Sequence, residues 1–132
     1  MIDVLLVDDH PKMRHLLRQM IETYADVTIV GEADNGEDAV TRATALQPSV
    51  VLIDVNLPAI SGIQATKLIK RLSPSSAIIG LTAGPPGQTE QIMIAAGAAA
   101  VIDKGEVLDS LYPLILEAVR QLKSSGLAAG AH

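Results

Sequence analysis

The sequence has no cysteine, no tryptophan and no phenylalanine, and two tyrosines, Tyr24 and Tyr112, are its whole aromatic complement. Without cysteine there is no disulfide framework and no thiolate chemistry, which suits a cytoplasmic location, the one expected here. Without aromatic platforms a stacking surface for single-stranded nucleic acid is excluded. Positive charge is also scarce: ten Lys and Arg stand against fifteen Asp and Glu, a net charge of -5. A domain of that sign is a poor ligand for DNA phosphates by itself. Long hydrophobic runs are missing too. The longest nearly apolar stretch, Ile92 to Ile102, is broken by Gly97 and is too short to cross a bilayer, so no membrane partner is expected. Met1 leads straight into a strand-like run, so no basic leader or signal peptide is expected.

What is present suffices for one domain with a real core, at 132 residues. Residues 1–123 are expected to form it. Ser124 to His132, mostly Ser, Gly and Ala, reads as a flexible linker or tail. Five β-branched runs recur: Ile2 to Val7, Val27 to Glu32, Val50 to Ile53, Ala77 to Leu81 and Ala99 to Ile102. Most are continuously apolar, the mark of strands covered on both faces.

Helical patterns fill the gaps. Met13, Leu16, Leu17, Met20, Ile21 and Tyr24 follow Pro11 at helical spacing, and proline suits a first helical turn. Asn35 is placed to cap a second helix running to Leu46. Ser61 and Gln64 form a capping-box pattern before a third, with Ala65, Leu68, Ile69 and Leu72 expected inside. A short fourth helix is expected from Thr89 to Ala96, and Leu108, Leu111, Tyr112, Ile115, Val119 and Leu122 mark a fifth. Pro113 lies within that last pattern, so the helix starts near Tyr112 or is kinked there.

Strict alternation of strand and helix predicts an α/β fold with right-handed crossovers. The expectation is a flavodoxin-like, doubly wound (βα)5 sandwich with a five-stranded parallel sheet in the order 2-1-3-4-5. Sites in such sheets form beyond the carboxyl ends of the strands, where the winding reverses. Those ends carry Asp8 and Asp9, Asp54, Thr82 and Lys104. Carboxylates about 4 Å apart repel by some 4 kcal/mol at an effective dielectric near 20, so a balancing cation is expected. Few protein ligands, all oxygen, favour Mg²⁺. His10, next to the acid pair, reads instead as a helix-cap or surface residue, and His15 as a residue of a solvated helix face.

Taken in order, "LLVDDH", "VVLIDVNLPAISG", "LTA" and "VIDKG" resemble the motifs of the receiver domain of bacterial two-component response regulators. "VDDHP" and "VGEADNGEDAV" further resemble the subgroup fused to LuxR-type helix-turn-helix domains. The resemblance implies that Asp54 accepts a phosphoryl group from a sensor histidine kinase. It implies Mg²⁺ held by Asp9, Asp54 and the Asn56 carbonyl, with Asp8 acting through water. Thr82 and Lys104 would contact phosphoryl oxygens, and Ala83 would keep the entrance small. Implied as well are a homodimer through helix 4, strand 5 and helix 5, and DNA contact only through an effector domain that this sequence does not include. Such a domain is a signalling switch that catalyses its own phosphorylation and dephosphorylation.

The sequence departs from the family at Val101, where an aromatic residue is usual, and at Pro85 and Pro86 after Thr82. These departures bear on output. They motivate an alternative, a pseudo-receiver acting by protein contacts without phosphorylation. A flavodoxin is disfavoured because Asp8 and Asp9 repel phosphate where an anion-binding loop is needed. An Asp-nucleophile phosphatase is disfavoured by Asn56, which stands where a second acid belongs.

Overall fold

A computed structural model describes the backbone of residues 1–130 and the side chains of residues 1–124. Its elements run β1 (Ile2–Val7), α1 (Pro11–Ile21), β2 (Val27–Ala33), α2 (Gly36–Leu46), β3 (Val50–Asp54) and α3 (Gly62–Leu72). There follow β4 (Ala77–Thr82), α4 (Gln88–Ala96), β5 (Ala100–Asp103), a 3-10 turn (Lys104–Glu106) and α5 (Val107–Gly130). The strands form one parallel sheet in the order β2-β1-β3-β4-β5, as the alternation predicts. β1 is flanked by β2 and β3, so the winding reverses between the ends of β1 and β3.

Side-chain alternation divides the strands between two cores. Val4, Leu6, Val50, Leu52, Ile79, Leu81 and Ile102 face α1 and α5, where Leu17, Ile21, Leu111 and Ile115 meet them. Leu5, Val7, Val51, Ile53 and Ile78 face the opposite layer, built on Ala39, Ala43, Ala65, Ile69 and Met93. Both faces of the sheet are covered, which is why the strands read as unbroken apolar runs.

The small residues on α2 and α3 let those helices approach closely. The expected core residues Leu68 and Leu72 are exposed at 38% and 48%, while Gly62, Ala65, Thr66 and Ile69 face inward. Leu16 and Leu108 are also exposed, with Leu17 and Val107 buried beside them. In each case the helical stripe that meets the sheet is narrower than the spacing of leucines suggests. Asn35 caps α2 through the Asp38 N–H, and Ser61 with Gln64 completes the capping box of α3. α5 does not start at Tyr112: it begins at Val107 and Pro113 lies inside it. The Asp109 carbonyl therefore has no N–H four residues on to receive. The expected linker begins in the backbone of α5, and its end, Ala131 and His132, lies outside the described residues.

Candidate functional site

The alternation that builds the two cores also selects which strand-end residues meet. Asp8 continues the series Val4, Leu6; Asp54 continues Val50, Leu52; Lys104 continues Ile102. All three leave the sheet toward the side of α1 and α5. Lys104 Nζ lies 2.9 Å from Asp8 Oδ2 and 3.0 Å from Asp54 Oδ2, one ammonium shared by two buried carboxylates. Burial, the largest single influence, pulls the Lys104 pKa down, and the Asp8 and Asp54 carboxylates more than offset it, leaving it raised.

Backbone donors hold the acids in place. The Asn56 N–H donates to Asp54 Oδ1 at 2.8 Å, and the His10 N–H donates to Asp8 Oδ1 at 2.9 Å. α3 is docked against the same strand end: the Gly62 N–H donates to the Val55 carbonyl at 2.9 Å. A Cβ at Gly62 would lie 2.3 Å from the Asp54 carbonyl oxygen, so only glycine permits that approach.

Asp9 completes the cluster. One ligand atom from each of Asp8, Asp9, His10 and Asp54 falls within 4.8 Å of the others. Two buried oxygens there, Asp8 Oδ2 and Asp9 Oδ1, have no hydrogen-bond partner. The Lys104 contact to Asp8 Oδ2 is thus a close ion pair without hydrogen-bond alignment. Three carboxylates facing one ammonium leave the cluster with an excess of negative charge on oxygen ligands, which fits a hard cation.

Of the residues singled out from sequence, Asp8, Asp9, Asp54 and Lys104 come together, and Asn56 joins through its backbone. Thr82 is buried at the end of β4, but its parity is that of Ile78, on the other face. Its hydroxyl donates to the Gly84 carbonyl at 2.5 Å. Asp103 accepts the Gly105 N–H and takes no part in the cluster. His10 occupies the cap position of α1 without a capping side-chain bond, and its ring, 67% exposed at the surface, lies beside the acids.

Sequence reasoning missed Arg14. Arg14 donates through Nη1 to the Asp8 carbonyl at 2.6 Å and through Nε to Glu32 Oε1 at 3.0 Å. Arg18 grips the other oxygen of Glu32 at 2.7 Å. This strut ties the β1–α1 loop to β2. Glu32 was visible only as an acid ending a strand, and its partners are far away in sequence.

The family described as the response regulator receiver domain matches residues 4–115. The response regulator GacA of Pseudomonas aeruginosa is 35% identical over 122 residues, covering 92% of this chain and 55% of GacA. The response regulator UvrY of Escherichia coli is 41% identical over 105 residues, covering 80% of this chain and 48% of UvrY. The chain thus spans about half the length of these relatives. Among solved structures, the response regulator domain of Thermotoga maritima CheB superposes with a TM-score of 0.84 at 28% identity, covering 90% of this chain and 96% of that one. Among the described residues no helix is long and apolar enough to cross a membrane.

Proposed function

The chain belongs to the response regulator receiver domain family, and on that premise we propose that it is a phosphorylation switch whose acceptor is Asp54. A sensor histidine kinase presents a phosphohistidine. An Asp54 carboxylate oxygen attacks the phosphorus, the P–N bond breaks, and the freed imidazole of the kinase takes up a proton as the acyl phosphate forms. The carrying observation is the placement of Asp54 beside Asp8, Asp9 and Lys104, three carboxylates against one ammonium.

Each residue has a task in this reading. Asp9 and Asp54, with the Asn56 carbonyl, would hold Mg²⁺, with Asp8 acting through water. When bound, the ion offsets charge on the transferring phosphoryl oxygens. Lys104 leaves its bridge between Asp8 and Asp54 to pair with a phosphoryl oxygen. Thr82 gives up the Gly84 carbonyl and donates its hydroxyl to another. That exchange moves the segment after β4, and the surface of α4, β5 and α5 becomes the output and dimer face. In a longer protein of the GacA and UvrY kind, the output is transcription through a DNA-binding effector, as the LuxR-type sequence features suggest.

A second reading, the pseudo-receiver, draws on Thr82 and Val101. The hydroxyl is already engaged with Gly84, and no aromatic side chain stands at Val101 to follow it. Incubation with acetyl phosphate and Mg²⁺, read by intact mass, decides between them. Wild type gains one phosphoryl group and Asp54→Asn gains none. An unmodified wild type, or equal labelling of Asp54→Asn, overturns the proposal.

A further inference from the structure

We propose that Arg14 is a positioning residue for the phosphoacceptor site: it fixes the turn that carries Asp9, and through Asp9 it sets the affinity for Mg²⁺. The inference rests on the preceding reading that Mg²⁺ binds at Asp9 and Asp54. Arg14 lies in the first turn of α1, and its side chain is only 19% exposed. Its Nη1 donates to the Asp8 carbonyl at 2.6 Å and its Nε to Glu32 Oε1 at 3.0 Å. Neither bond goes to a carboxylate of the cluster. The Asp8 carbonyl belongs to the planar peptide that joins Asp8 to Asp9, so its direction decides where the Asp9 side chain leaves the turn.

The anchor at the other end is set by the sheet. Glu32 pairs with Leu6 in the parallel register of β1 and β2, and Leu6 faces α1. The Glu32 carboxylate therefore meets α1, where Arg14 and Arg18 stand four residues apart on the same face. Arg18 Nε and Nη2 donate to Glu32 Oε2 at 2.9 and 2.7 Å, which leaves Oε1 to Arg14. Burial pushes the Glu32 pKa up, and the bonds from Arg18 and Arg14 more than offset it, leaving it lowered. A carboxylate held ionised between two guanidiniums aims the Arg14 fork at the Asp8 carbonyl.

Charge and geometry predict opposite signs. As a bare cation near the acids, Arg14 would repel Mg²⁺, and its removal would tighten binding. As a positioning residue it favours binding, and its removal loosens it. Lysine keeps the charge but cannot span Glu32 and the Asp8 carbonyl with one planar fork.

Titration calorimetry of the full chain with MgCl₂ tests this in wild type, Arg14→Lys and Arg14→Met, with urea unfolding to confirm that each is folded. In both variants the Mg²⁺ dissociation constant is expected to rise about tenfold, the scale for losing a residue that orients a metal ligand. Half-maximal labelling by acetyl phosphate should need correspondingly more Mg²⁺, while the rate at saturating Mg²⁺ stays close to that of wild type. Without metal, amide exchange of His10, whose N–H donates to Asp8 Oδ1, should be faster in both variants. Tighter binding by Arg14→Met, or full affinity in Arg14→Lys, would show that charge alone matters and overturns the proposal. Lower stability with unchanged Mg²⁺ affinity makes Arg14 purely structural and overturns it too, while leaving the Mg²⁺ reading intact. If wild type binds no Mg²⁺, both readings fall.

Discussion

Among the described residues Lys104 is the one cation between Asp8 and Asp54, and its removal strands two buried carboxylates. Replacing it by methionine is expected to cost about 3 kcal/mol near neutral pH, the usual scale for breaking a buried ion pair from one side. The pH dependence follows from its raised pKa. A group whose folded value lies above the unfolded one contributes fully below the unfolded value, and loses that contribution as pH climbs through the folded value. The gap between wild type and Lys104→Met, measured by urea unfolding, should therefore be constant from neutral pH to the ordinary lysine value of 10.5 and shrink above it. A gap that widens with alkalinity would contradict the shared-ammonium arrangement. Thr82 teaches a different lesson at this scale. Its position at the strand end was readable, but the direction of its hydroxyl was set by the Gly84 carbonyl, part of a loop with no periodic signal.

Elements bring these residues to within bonding distance, and α3 carries the tightest constraint. Its first residue, Gly62, lies against the Asp54 and Val55 backbone, where a methyl group would overlap main-chain atoms that cannot rotate away. Gly62→Ala should destabilise the domain by about 3 kcal/mol, because overpacking against backbone forces the helix outward. Urea unfolding gives the magnitude, and the same variant should bind Mg²⁺ more weakly through displacement of Asp54. A loss below 1 kcal/mol would mean that α3 docks elsewhere than against the end of β3. The capping box at Ser61 and Gln64 was readable because it is local, three residues apart. The docking of Gly62 was not, since "SG" at a helix start says only that a cap and a flexible residue are present. α5 shows the same limit. Pro113 is a local helix breaker, yet the apolar contacts of Leu111 and Ile115 with the sheet keep the helix continuous through it.

Across the whole molecule, the site is an electrostatic burden on the fold that holds it. Asp8, Asp9 and Asp54 face one ammonium, and nothing in the two apolar cores offsets the excess. Asp9→Asn should therefore stabilise the metal-free domain by about 1 kcal/mol, a rise in thermal midpoint of roughly 4 °C. Wild type should gain about 2.7 kcal/mol from Mg²⁺ at a hundredfold excess over its dissociation constant, and Asp9→Asn little or nothing. Thermal melts with and without MgCl₂ check both halves. A variant less stable than wild type without metal would show that Asp9 is a structural cap rather than a strained ligand.

Order along the chain was enough to determine the class and topology of this protein. Apolar runs too continuous for a solvent-facing sheet, separated by helical stripes, leave few arrangements for a chain of this length. The acids at the strand ends follow from the same reading, because a strand's last residue is a matter of local sequence. Tertiary structure alone decided which of them touch. Parity along β1 and β3, with Lys104 continuing β5, turned Asp8, Asp54 and Lys104 to one side and Thr82 to the other. The sharing of Lys104 by Asp8 and Asp54, and the Arg14–Glu32 strut behind them, depend on the pairing of β1 with β2 and β3 and of β4 with β3 and β5. Those are properties of distances through space, and no local run of residues encodes them.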